Sequence, residues 1–339
     1  MAAAVLGGVS IVLAGALGTF KTLQERSYVE RQLAINNMVA ESLQDYADTP
    51  HALLPEEGVA GKSFVRGVLP TPAVASLPDG RTQRRTIVSP TASRTAMQTL
   101  MPYLVGKGFP ADQILSDGRK DGRVRAYLKV SHTNGTLSEL VPFMGSGSVR
   151  MHYEVGVVYL PECRQAQTCA SDAAWANNIT TANLNTWEPV SGALATVQFS
   201  TRNSQRKWVR VFEEQTAELA QTISLYFRKR AEANPAAPTN WFPGTHLSVM
   251  DPLSNKGCRT PWANLDTEAD ILTTVGLSRK YATSPWGTPV FYCRDYDPSG
   301  ALGPDTRPHF GALAIKKNLW ESAYDPAVDP LDAQIIIPL

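Results

Sequence analysis

Arg294-Asp295-Tyr296-Asp297-Pro298-Ser299-Gly300 carries two carboxylates at alternate positions, then a hydroxyl and a glycine. That is the D-x-D-x-S-G front of a calcium-binding loop, and it makes Asp295 and Asp297 the candidate metal ligands. A full EF-hand loop needs Glu at its twelfth position, where this chain has Thr306 with Asp305 beside it. Asp-Pro-Ser-Gly is equally sound turn chemistry without a metal. Both readings stand at this level: no cofactor, or calcium.

The four cysteines point to crosslinks. Cys163 and Cys169 enclose five residues, and Cys258 and Cys293 lie 35 positions apart. Zinc wants C-x₂-C pairs or nearby histidines, and no such spacing exists. A redox thiol wants C-x-x-C, which is also missing. Two disulfides, 163–169 and 258–293, are the simplest pairing for a chain that works outside the cytoplasm. The five histidines (51, 132, 152, 246 and 309) are scattered, and no H-x-x-x-H, G-x-S-x-G, P-loop or G-x-G-x-x-G is present. The chain is therefore expected to have no catalytic residues and not to be an enzyme. Trp241, Trp262, Trp286 and Trp320 could stack on sugars if exposed, but indoles are more often buried packing.

The elements that must position these residues follow from composition and pattern. The chain has 339 residues, with 32 Lys plus Arg against 31 Asp plus Glu, a formal net charge of +1. That balance excludes a nucleic-acid binder working through bulk positive charge. Twenty-four Pro and 24 Gly with no short repeat suit loop-rich β lobes, and the length suits more than one of them.

Residues 1–20 contain no charge, and the first charged residue is Lys21. About 20 apolar residues at 1.5 Å each span a bilayer core of roughly 30 Å. Nothing basic precedes this stretch, as a signal peptide would require. Ten of these twenty residues are Gly, Ala or Ser, among them Gly7, Gly8, Ala14, Gly15 and Gly18. Small residues let helix backbones approach closely in lipid. The helical pattern then continues without Pro until Pro50, with Ile35, Met38, Val39, Leu43 and Tyr46 at three- and four-residue steps. One helix over residues 1–47 would be about 70 Å long, more than one membrane needs.

An apolar helix that continues as an amphipathic one and ends near residue 50 resembles the stem of a type IV pilin. MVAESLQDYADTPHALLP (38–55) is similar to the end of that stem in the type IVb group, particularly PilV-like, shufflon-type pilins of conjugative plasmids, and residues 100–130 resemble the segment that follows. Trp286-Gly287-Thr288-Pro289-Val290-Phe291-Tyr292 is similar to the W-G-x-P-x-x-Y signature of pilins and pseudopilins, with Trp286, Gly287, Pro289 and Tyr292 matching. Two features depart from the family. Val5 stands where most members carry Glu, and the basic leader ending in Gly is missing, so the resemblance implies either a processed form or a large capping subunit.

The resemblance implies an α+β fold: a stem helix (1–50), a first β-rich lobe with antiparallel sheets (51–208) and a second lobe (209–339). It implies a filament subunit that waits as a single-pass protein of the inner membrane and then packs against other pilin subunits through its N-terminal helix, with Val5 and the small residues Gly7 to Gly18 in the core. Its lobes would meet a host or recipient cell surface, with no nucleic-acid partner. Related pseudopilins hold calcium after W-G-x-P-x-x-Y, which again singles out Asp295 and Asp297. The alternative is a single-pass membrane-anchored periplasmic binding or assembly protein that does not polymerise.

Further along, residues 48–96 are punctuated by Pro and Gly, and Val124–Val130 and Val149–Leu160 read as strands. Val209–Ala233 reads as an amphipathic helix with Leu219, Ile223 and Phe227 on its stripe, stopped by Asn234-Pro235. Its exit echoes that of the first helix. This reads equally as two pilin-like lobes or as the common look of any helix closed by Pro.

Overall fold

The computed structural model describes residues 2–48, 64–68, 106–107, 126–130, 138–145, 147–161, 193–237, 239–244, 250–268, 270–302, 307–319 and 324–339. They form helices and antiparallel sheets in two compact units. The first unit takes Met1–Leu137 and Glu154–Thr201, and the second takes Ser138–Tyr153 and Arg202–Leu339. The chain thus visits the second unit for one hairpin, returns, and leaves again after Thr201. Reading the sequence for breaks places the division at 208/209 and shows no sign of that excursion.

In the first unit, helix α1 (Ala2–Ala47) runs 46 residues. Strands β1 (Phe64–Val68), β2 (Ala126–Val130), β5 (Val155–Pro161) and β6 (Ala193–Ser200) form one antiparallel sheet in the order β1-β2-β5-β6. The last turns of α1 pack across β6 and β5. Asn36, Ala40, Leu43 and Ala47 are buried there, at steps of four, three and four that keep one helix face on the sheet. Leu43 belongs to the stripe expected from the sequence, Met38 and Tyr46 are half-buried, and the side chains of Ile35 and Val39 fall outside the described residues. The two alanines of the buried face carry no bulk to hold helix and sheet apart.

In the second unit, helix α2 (Arg202–Ala233) lies against the hairpin of β3 (Ser138–Phe143) and β4 (Gly147–His152). A second antiparallel sheet, ordered β10-β9-β8-β7, comprises β7 (Ala263–Asn264), β8 (Phe291–Cys293), β9 (Ala312–Lys316) and β10 (Gln334–Pro338). A short helix, α3 (Asp270–Thr274), precedes the β8 turn. The buried face of α2 is Gln205, Val209, Phe212, Thr216, Leu219 and Ile223, alternating four- and three-residue steps. It meets Phe143, Val149 and Met151 of the hairpin and Leu313, Ile315 and Ile335 of the sheet in one core. Phe227, further along that face, stacks on Phe242 with centroids 4.3 Å apart.

α2 starts seven residues before the start read from the sequence. Arg202, Arg206 and Lys207 crowd its first turns, where positive charge opposes the helix dipole. Glu139 on β3 compensates: Arg202 Nε donates to its carboxylate at 2.8 Å, and Arg206 also bonds it. Those guanidinium groups hold Glu139 below the usual carboxylate range although burial alone would raise it.

Candidate functional site

Two regions carry the residues singled out by the sequence: the exposed length of α1, and the turn-and-disulfide assembly around β8.

On α1 the described residues from Gly18 to Ala34 are exposed, Tyr28 being half-buried. Phe20 is 58% exposed and Leu23 60%, and Val29 and Leu33 are exposed too. A Cβ added at Gly18 would meet nothing within 4 Å. Arg26 pairs with Glu30 one turn on at 3.1 Å, both in solvent, a pair worth about 0.3–0.5 kcal/mol. A helix exposed all round with large apolar side chains is unusual in a finished fold. Val5, Gly7, Gly8, Ala14 and Gly15 lie on the helical backbone, but their side chains fall outside the described residues. Among the described residues no helix is long and apolar enough to cross a membrane.

The W-G-x-P-x-x-Y segment is a built turn leading into β8. Gly287 has φ of 83°, a left-handed conformation that glycine adopts without steric cost. The Ser284 hydroxyl accepts the amides of Thr288 at 3.1 Å and Trp286 at 3.3 Å, and the Thr288 hydroxyl donates to the Leu319 carbonyl at 2.5 Å. The half-buried Trp286 donates its indole N–H to Gln205 on α2 at 2.8 Å. Pro289 pairs with Thr283 in an isolated bridge. Tyr292 is fully buried, donates to the Pro243 carbonyl at 3.1 Å, and has its phenol pKa pushed well up by burial.

Cys293, next to Tyr292, forms a disulfide with Cys258, and both are fully buried. Cys163 and Cys169 lie outside the described residues, as do Asp305, Thr306 and Trp320. Trp262 is buried with its N–H on the Asn255 carbonyl, and Trp241 is half-buried. These two indoles and Trp286 are therefore packing groups, not an open platform.

Asp295 and Asp297 are both buried. Asp297 Oδ1 accepts the Ser299 hydroxyl at 2.8 Å, and its Oδ2 accepts the Leu302 amide at 2.9 Å and Arg259 Nη2 at 2.7 Å. Burial alone would raise this carboxyl's pKa, but the hydroxyl, the amide and the guanidinium hold it below the usual range. The Asp297 carboxylate is thus already engaged by an internal cation, the Arg259 guanidinium. Among the described residues no group of three or more His, Cys, Asp or Glu could hold a metal. Nothing in the sequence around Arg259 marked it as a partner of Asp297, since 38 positions separate them. Comparison with known proteins finds no matching family model, no matching curated protein and no matching solved structure.

Proposed function

We propose that this chain is a subunit of a type IV pilus-like surface filament, polymerising through α1 and presenting its β-rich units outward for adhesion to a host or recipient cell. The observation that carries this reading is the contrast along α1. Its last turns are packed on the sheet of the first unit, while Gly18–Ala34 keeps Phe20, Leu23, Val29 and Leu33 in solvent. Apolar side chains left out on a long helix are satisfied by lipid or by neighbouring helices.

In this reading the helix waits in the inner membrane as a single-pass pool, then packs with other pilin subunits in the filament core. No chemistry, cofactor or nucleic acid takes part. The form proposed is a minor, tip-located subunit, with a major subunit as the near alternative.

Mass spectrometry of filaments sheared from intact cells tests this. A trace of this chain beside a dominant smaller pilin places it at the tip, and an abundant signal makes it a major subunit. An empty filament fraction with the chain retained in membranes overturns the filament reading in favour of a single-pass anchored binding or assembly protein.

A further inference from the structure

We infer that Arg259 is the resident cation of the loop following β8, so that Asp297 to Leu302 close around a guanidinium and the loop takes no divalent metal. The sequence offers D-x-D-x-S-G at 295–300, and a metal-binding loop of this kind folds its oxygens around one positive centre. Here the positive centre is a side chain. A single nitrogen, Nη2 of Arg259, faces Asp297 Oδ2 at 2.7 Å, the Gly300 carbonyl at 3.5 Å and the Leu302 carbonyl. Arg259 Nε is buried and has no hydrogen-bond partner, so it is Nη2 that carries the contacts to the loop.

The backbone delivers the cation to this place. Cys258 and Tyr296 form an antiparallel bridge, the Arg259 amide donates to the Asp295 carbonyl at 2.9 Å, and the Asp297 amide donates to the Gly257 carbonyl at 2.6 Å. The Cys258–Cys293 disulfide ties the same two segments. Both charged side chains are buried, 9% exposed for Arg259 and 1% for Asp297. One carboxylate against one guanidinium is neutral. A calcium ion, which takes six to eight oxygens, would enter only by expelling the guanidinium and stranding a buried charge.

The test uses the full-length chain, melted in millimolar calcium and in chelator, with terbium luminescence excited through Tyr296 and Trp262, whose rings lie 6.4 Å apart. The native chain is expected to melt at the same temperature in both solutions and to give no sensitised emission. Arg259→Ala leaves the oxygens without their cation. It should melt lower in chelator, recover about 2–4 °C in calcium and sensitise terbium, and adding Asp297→Asn should abolish both responses. A native chain stabilised by calcium overturns the inference, as does a folded Arg259→Ala that ignores calcium and terbium. If Arg259→Ala does not fold in either solution, the native melts alone decide: coincident curves uphold the closed loop and a calcium-dependent shift refutes it.

Discussion

The indole N–H of Trp286 donates to the side-chain carbonyl of Gln205 at 2.8 Å across 81 residues of chain, joining the turn before β8 to the first turns of α2. Gln205 is itself buried on the helix face that carries Val209 and Phe212. Replacing it by Leu leaves a half-buried N–H without its acceptor, which costs about 1–3 kcal/mol. The double variant Gln205→Leu/Trp286→Phe should cost less than the sum of the single changes, because the pair leaves together. Urea unfolding of the four chains measures this. Strict additivity would mean that the bond contributes nothing.

Asp297 predicts an acid limb. Its folded pKa lies below its ordinary value of 3.8, so the stability it adds is complete above that value and fades as pH falls through the folded value. Asp297→Asn should therefore lower stability at neutral pH and flatten the loss of stability as pH falls below its ordinary value of 3.8. Melting temperatures across that range provide the check. Parallel curves for the two proteins would mean that another carboxylate carries the acid sensitivity.

The Cys258–Cys293 disulfide closes a 35-residue separation. On the loop-entropy model its removal costs roughly 3–4 kcal/mol. Because both sulfurs are buried, a thiol reductant should leave the folded protein oxidised and cut the bond only once denaturant opens the second unit. Mass spectrometry after alkylation, with and without urea, follows this. Rapid reduction without denaturant would show that the region around β8 opens locally.

α1 predicts a separation of stability from assembly. Phe20→Ala and Leu23→Ala remove exposed side chains, so the isolated chain should change by no more than about 0.5 kcal/mol. Incorporation into sheared filaments should nevertheless fall sharply. Ala40→Leu does the reverse: it overpacks the contact with the sheet and should cost about 1–3 kcal/mol before assembly is at issue. Unfolding curves and filament yield read the two effects separately. Unaltered filament yield from Phe20→Ala and Leu23→Ala together would remove this stretch from the assembly surface.

A further clamp sits at the point where the chain passes between units. The Glu154 amide donates to the Thr201 hydroxyl at 2.9 Å, and the Thr201 amide returns a bond of 2.9 Å to the Glu154 carbonyl. Both residues are buried. Thr201→Val keeps the shape but removes the acceptor, and should destabilise the chain by about 1–3 kcal/mol in a denaturant titration. An unchanged midpoint would show that water replaces the hydroxyl.

The readable parts of this protein are those whose cause is local. A helical period holds α1 as far as Ala47, just ahead of Pro50, and Asn234-Pro235 stops α2 where a helix cannot continue. What only the tertiary structure decided depends on groups far apart in sequence. The early start of α2 needs Glu139, more than sixty residues away, to offset Arg202 and Arg206. The hairpin 138–153 joins the second unit because Phe143, Val149 and Met151 complete a core that α2 cannot close alone. The same limit governs Asp297. Its spacing from Asp295 is written in the chain, but whether those oxygens await a metal or already hold a cation turned on Arg259, which only the folded backbone brings within 2.7 Å. A charge's partner is set by distance in space, and a sequence lists only distance along the chain.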